Sequence, residues 1–282
     1  MTREAIPSAL HWGIDCGSTE IKVVALDPAT LKIAHRHRQR TLFPLLDHVR
    51  AALTGSASTP TPFADPAKTL LKPGHTLTAT GYGRAHIPFA TEKLTEIKAH
   101  FLGVEHLLHG TLAAGQEYTL IDIGGQDSKV VKTRHGQIDE FIINRKCAAG
   151  TGAYIEELAH RLEIPLQKLT ELEARHDQEL VLNSFCTVFA GQEVIKILMN
   201  GERVENLIHA LYQSVVKRVL EMTAIETEVV VFSGGVFEHH PALRNLFAKR
   251  LPDRRFFLCP EAQYCGAIGA AYWTAPQASN TI

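Results

Sequence analysis

Gly13-Ile-Asp15-Cys-Gly17-Ser18-Thr19 lies between two apolar runs, His11-Trp-Gly-Ile-Asp-Cys16 and Ile21-Lys22-Val-Val-Ala-Leu-Asp27. Apolar runs on both sides of a Gly-Ser-Thr corner predict two strands joined by a tight turn. The pattern recurs in the second half of the chain. Tyr118-Thr-Leu-Ile-Asp122-Ile-Gly124-Gly125 passes through Gln126 into Asp127-Ser-Lys-Val-Val-Lys132, again with an aspartate ahead of the glycines. A third apolar strand, Glu228-Val-Val-Val-Phe-Ser233, ends on Gly234-Gly235. Helical patterns fill the intervals near 92–101, 151–163, 188–199 and 203–224. Repeated strand–turn–strand units followed by helices predict an α/β fold of two related lobes around a cleft.

The lobe boundary is expected near residue 115. An N-terminal lobe then covers 11–115 and a C-terminal lobe 116–282, with the segment about 255–275 packing back onto the first. The small-residue stretch Cys265-Gly-Ala-Ile-Gly-Ala-Ala-Tyr272 suits a helix packed closely at the cleft. Residues 55–66, rich in Pro, Ser and Thr, read as a surface loop, since such a composition cannot bury a core.

The bulk numbers narrow the function. A formal net charge of −1 lacks the clustered basic excess that a nucleic-acid surface needs. The run His35-Arg-His-Arg-Gln-Arg40 is the one local basic candidate, and it reads as a solvated strand edge. No apolar run approaches the roughly 20 residues of a membrane helix. The first residues, Met1-Thr-Arg-Glu-Ala-Ile-Pro7, lack the apolar core of a secretory signal. Five cysteines without a dense framework fit a reducing cytoplasm. The fifteen histidines show no helical His-x-x-x-His pair, and His239-His240 before Pro241 reads as a turn at a helix start. They are expected at the surface.

Both glycine turns carry phosphate-binding chemistry. Glycine lets backbone N–H groups approach phosphate oxygens, and the Ser18 and Thr19 hydroxyls add donors. Gly17, Lys22, Gly124 and Gly125 belong to the same set, while Gly234 and Gly235 are expected near a nucleoside. Asp15 and Asp122 can hold Mg²⁺ directly or through water. Gln126 can orient an attacking water, and Asp127 stands beside it as a further catalytic carboxylate.

Two of the cysteines stand apart. Cys147, in Asn144-Arg-Lys-Cys147-Ala-Ala-Gly-Thr-Gly152, and Cys186, in Asn183-Ser-Phe-Cys186-Thr-Val-Phe-Ala190, each precede a helical pattern. A thiolate at a helix N-terminus is stabilised by the positive dipole end and free N–H groups. Two thiolates make half of a four-sulfur iron–sulfur site, and a two-fold dimer would complete it. Cys16 reads instead as a small core-facing residue, and Cys259 and Cys265 as structural thiols.

The two turns and Ser233-Gly-Gly235 resemble the phosphate and adenosine motifs of the actin, heat-shock-ATPase and sugar-kinase superfamily. A closer resemblance rests on Gly13–Thr19, Asp122–Lys129, Asn144–Gly152, Cys186-Thr-Val-Phe-Ala190 and Gln263-Tyr-Cys-Gly-Ala-Ile-Gly-Ala270. These are similar to the activator family of 2-hydroxyacyl-CoA dehydratases. That family includes the ATPase components of benzoyl-CoA reductases and reductases of double-cubane cluster proteins. The resemblance runs from about residue 11 to residue 272. It implies an actin-like fold, two ribonuclease-H-like lobes and a homodimer holding one 4Fe-4S cluster between subunits, with Cys147 and Cys186 as each chain's ligands. ATP and ADP, with Mg²⁺, would act as nucleotide cofactors. ATP hydrolysis would drive an electron, received from a ferredoxin or flavodoxin, into a dehydratase or reductase iron–sulfur partner. Two segments depart from the family pattern: Ala99 stands where a cysteine is frequent, and Ser233-Gly-Gly-Val-Phe-Glu-His-His240 lacks the polar residues that the pattern places after the glycines.

The competing reading is a small-molecule kinase of the sugar-kinase type, with Asp127 as base beside a substrate hydroxyl. A third is a regulatory ATPase without redox chemistry.

Overall fold

The computed structural model describes residues 10–54, 75–182 and 187–275. The chain divides into two compact units: one runs to Ala114 and resumes at Tyr264, and the other is Gly115–Gln263. Each unit is built on a mixed five-stranded sheet, and the two sheets share one strand order.

In the first unit, β1 (His11–Cys16), β2 (Glu20–Leu26) and β3 (Ile33–Arg40) form an antiparallel meander. On its other side β1 pairs in parallel with β4 (Thr76–Thr80), which pairs with β5 (Glu92–Lys93). The basic run is the edge strand β3. Its half-buried His35, His37 and Gln39 alternate with exposed Arg36, Arg38 and Arg40. Outward arginines on an edge strand discourage pairing with another chain.

The second unit repeats the plan. β6 (Tyr118–Ile123), β7 (Ser128–Arg134) and β8 (Gln137–Asn144) are antiparallel, and β6 pairs in parallel with β9 (Val229–Ser233), followed by β10 (Arg255–Leu258). Every residue of β6 and β9 is buried. Burial on both faces explains their almost unbroken apolar sequences.

The first unit adds α1 (Leu45–Thr54) and α2 (Glu96–Leu107). The second adds α3 (Gly152–Arg161), α4 (Leu169–Glu173), α5 (Thr187–Met199), α6 (Val204–Leu220), α7 (Gly235–His239) and α8 (Pro241–Arg250). The helix expected from residue 92 starts later. Glu92 and Lys93 pair with β4, and Thr95 caps α2 by accepting a bond from the Lys98 N–H at 3.4 Å. The loop expected at 55–66 lies outside the described residues.

The small-residue helix α9 (Cys265–Trp273) packs inside the first unit, against α2 and β1. A Cβ at Gly269 would sit 1.8 Å from the Ala99 carbonyl oxygen, and one at Gly13 2.0 Å from that of Ala267. Only glycine permits such approach. No helix among the described residues is long and apolar enough to cross a membrane.

The expectation of surface histidines fails at several positions. His209 is fully buried, with Nδ1 2.8 Å from Glu173 Oε1 and its ring stacked 3.6 Å from that of His176. His240 is also buried, its Nδ1 2.7 Å from the Tyr212 hydroxyl. A fixed hydrogen-bond partner makes such burial tolerable. Pro241 does open a helix, α8, directly after His240.

Candidate functional site

The first turn is set by the β1–β2 ladder, which places Asp15 opposite Lys22. Asp15 is buried, and Lys22 Nζ stands 3.9 Å from its Oδ2. The Gly17 N–H donates to the Glu20 carbonyl at 3.1 Å and closes the turn. Ser18 is exposed at the corner. The Thr19 hydroxyl is buried and has no hydrogen-bond partner among the described residues. A buried polar group in that state costs about 1–3 kcal/mol, and an anionic oxygen at the turn would satisfy it. Gly81 has φ +86°, and a Cβ there would fall 2.5 Å from Asp15 Oδ1. A Cβ at Gly266 would lie 2.9 Å from His100 Nε2 and 3.1 Å from Asp15 Oδ2. His100, on α2, thus stands beside this carboxylate, a neighbour that no local pattern around Asp15 predicts. Burial, and secondarily the Asp15 charge, pushes the Cys16 thiol up to about 12, so it is an unreactive core group.

The second turn repeats the register: Asp122 stands opposite Lys129, as Asp15 does opposite Lys22. Here the pairing is much tighter. Lys129 Nζ lies 3.2 Å from Asp122 Oδ2 and 2.7 Å from Asp127 Oδ1, with only 4% of its side chain exposed. Arg145 Nε approaches the other Asp127 oxygen at 3.7 Å. The Gly124 N–H donates to the Asp127 carbonyl at 2.9 Å, while Gln126 is exposed at the corner. Ser233 donates to Asp122 Oδ1 at 2.7 Å, bringing the end of β9 to the same carboxylate. Gly234 follows with φ +94°; a Cβ there would sit 2.4 Å from the Ile123 carbonyl oxygen. Gly235 begins α7. Asp122, Gly124, Gly125, Asp127, Gly234 and Gly235 therefore share one end of the second sheet. Lys129 was missed as a site residue; its signal was its place seven residues after Asp122, matching Lys22 after Asp15.

Cys147 is half-buried in a loop, not at a helix start as expected. Asn144 holds that loop. Its Nδ2 donates to the carbonyls of Cys147 at 2.9 Å and Ala149 at 3.0 Å, and its Oδ1 accepts from the Cys147 N–H at 3.3 Å. Gly150, at φ +84°, then turns the chain, and Thr151 occupies the cap position of α3. This loop-to-helix junction is bonded to the second turn. The Gly152 N–H donates to the Gly124 carbonyl at 2.9 Å and the Ala153 N–H to that of Gly125 at 2.7 Å. Ser128 donates to the Gly150 carbonyl. Cys186 lies outside the described residues; α5 starts at the next residue, Thr187.

The duplicated sheets and Asp-glycine turns define an ATPase of the actin-like fold class. The model of the BadF/BadG/BcrA/BcrD ATPase family matches residues 12–274, and the chain belongs to that family. It is 35% identical over 205 residues to the (R)-2-hydroxyglutaryl-CoA dehydratase activating ATPase of Acidaminococcus fermentans, covering 72% of this chain and 76% of that protein. The crystal structure of component A of the A. fermentans (R)-2-hydroxyglutaryl-CoA dehydratase superposes with a TM-score of 0.80 at 29% identity, covering 96% of this chain and all of that one. The activator of 2-hydroxyisocaproyl-CoA dehydratase from Clostridium difficile, with bound ADPNP, gives 0.77 at 28% identity, with 96% of each chain covered.

Proposed function

We propose that this ATPase is an ATP-driven, low-potential electron-transfer protein for an iron–sulfur partner enzyme. That partner is a 2-hydroxyacyl-CoA dehydratase or a related reductase of the benzoyl-CoA or double-cubane type. The observation that carries the reading is the bonding of the second turn to the Cys147 loop. The Gly124 and Gly125 carbonyls hold the first residues of α3, so a turn reshaped by a γ-phosphate pulls on the segment bearing the thiol.

Gly17, Ser18, Thr19 and Lys22 of the first turn, with Gly124 and Gly125 of the second, bind phosphate oxygens. The orphan Thr19 hydroxyl fits that role. Asp15 and Asp122 hold Mg²⁺ through oxygen ligands, Gln126 with Asp127 orients the attacking water, and Gly234 and Gly235 lie against the nucleoside. A kinase would need Asp127 as a free base, yet both of its oxygens face cations.

Cys147 has the donor chemistry for iron: a free, half-buried thiol on a loop pinned by Asn144. With Cys186 from each of two chains it would complete four thiolates for one 4Fe-4S cluster per homodimer. Such a cluster would supply the single electron, received from a ferredoxin or flavodoxin. The chain's own residues set when it leaves, by hydrolysing ATP at the second turn. Reducing, cytoplasmic conditions suit both the thiols and the cluster.

The test is iron content after anaerobic purification. Cys147→Ala should lose all bound iron while keeping ATP binding, and so should Cys186→Ala. About four irons per dimer retained in either variant would end the cluster assignment.

A further inference from the structure

Lys129 is a buried ammonium held by two carboxylates at 2.7 and 3.2 Å. A lysine so far from water must be charge-paired, because an isolated buried charge costs several kcal/mol. One partner would suffice for that purpose; this lysine has two, and both belong to the turn assigned above to Mg²⁺ and water. Its counterpart in the other unit, Lys22, has one carboxylate within reach among the described residues, Asp15 at 3.9 Å, and is more exposed. The doubled contact is therefore particular to the second turn and not a requirement of the shared register.

We propose that Lys129 is the positioning residue of ATP hydrolysis, fixing the Asp127 carboxylate so that it can orient the attacking water. The inference rests on the nucleotide reading of the second turn. Asp127 is only partly buried and sits at a glycine corner, so its side chain would otherwise choose among several rotamers. Lys129 takes Oδ1 at 2.7 Å, Arg145 stands 3.7 Å from Oδ2, and lone pairs on both oxygens remain for a water. Without the ammonium, Asp122 and Asp127 would repel each other and Asp127 would swing outward. Mg²⁺ and nucleotide could still bind to the more negative turn, but the water would lose its orientation. Positioning of this kind acts chiefly on the transition state, so it lowers kcat and leaves affinity nearly intact.

The experiment measures ATP turnover, ADPNP affinity and Tm for the full-length wild type, Lys129→Met, Lys129→Arg, Asp127→Asn and the double variant Lys129→Met/Asp127→Asn. Expected for Lys129→Met is a fall in kcat of about 100-fold with ADPNP affinity within about threefold, and for Lys129→Arg, which keeps the charge, recovery of about tenfold. In the Asp127→Asn background the methionine should change kcat by less than about threefold, because the group it acts through is already neutral. Wild-type turnover in a folded Lys129→Met protein would overturn the proposal. Equal losses of turnover and affinity would do the same. Should Lys129→Met fail to fold, the double variant, which lacks both charges of the closest pair, decides: a further tenfold loss beyond Asp127→Asn contradicts the proposal. Unchanged turnover in Asp127→Asn itself would instead sink the assignment of the turn to hydrolysis, a separate failure.

Discussion

The two glycine turns share one blueprint and differ in how much of it is already filled. Each places a lysine opposite an aspartate across the first antiparallel pair. In the first unit the pair is loose, at 3.9 Å, and a buried threonine hydroxyl has no partner among the described residues. In the second unit the lysine grips two carboxylates, a serine reaches the same aspartate, and the turn's carbonyls are bonded to α3. A turn with unsatisfied donors suits ligand capture. A turn whose polar groups are already paired suits transmission, because it can move only by moving what it is bonded to.

Acid tests whether the second unit depends on buried pairing. Burial, with a smaller push from His239, drops His240 from 6.5 to about 4, so the folded protein holds it neutral against Tyr212. Unfolded chains take up that proton first as the pH falls below 6.5. Stability from this residue is therefore complete above 6.5 and lost progressively down to about pH 4, by about 3 kcal/mol. Urea unfolding from pH 7 to pH 4 should show that decline, and His240→Asn should flatten it. A slope unchanged by the substitution would remove His240 from the account.

The next effect separates the turns by kinetics. Gln126→Ala in the second turn should cut kcat by about 100-fold with little change in ATP affinity. Thr19→Val in the first should do the opposite, weakening ATP by about tenfold, the worth of one hydrogen bond to a charged oxygen, while saturated turnover holds. Steady-state rates with direct binding titrations read both. If the Thr19 variant loses turnover and the Gln126 variant loses affinity, the division of labour is wrong.

Much of this duplication was legible in the chain. The strands flanking both turns are visible because apolar runs break at an Asp-x-Gly corner, a purely local signal. The helix read at 188–199 is observed as Thr187–Met199, and that read at 203–224 stops at Leu220. What escaped depends on tertiary neighbours. Ala-Ala-Gly-Thr-Gly reads as an opening helical turn after Cys147, whereas the Asn144 side chain and Gly150 hold a loop there. His209 and His240 read as surface residues because nothing in their sequence vicinity names Glu173 or Tyr212 as partners. Lys129 sat in view within a recognised motif, but its bridge to two carboxylates exists only after β6 and β7 pair.

The proposed function requires that nucleotide at the second turn be felt at the Cys147 loop. The sharpest readout is the rate at which a chelator removes iron from the proposed cluster, in anaerobically purified wild-type protein without nucleotide, with ADP and with ADPNP. A ligand can shift this equilibrium only by binding the two states differently. ADPNP should change the rate by at least about fivefold, the lower end of ordinary allosteric coupling, and ADP should change it less. Identical rates in all three conditions would contradict it, leaving an ATPase whose turn and thiol loop are bonded but do not communicate.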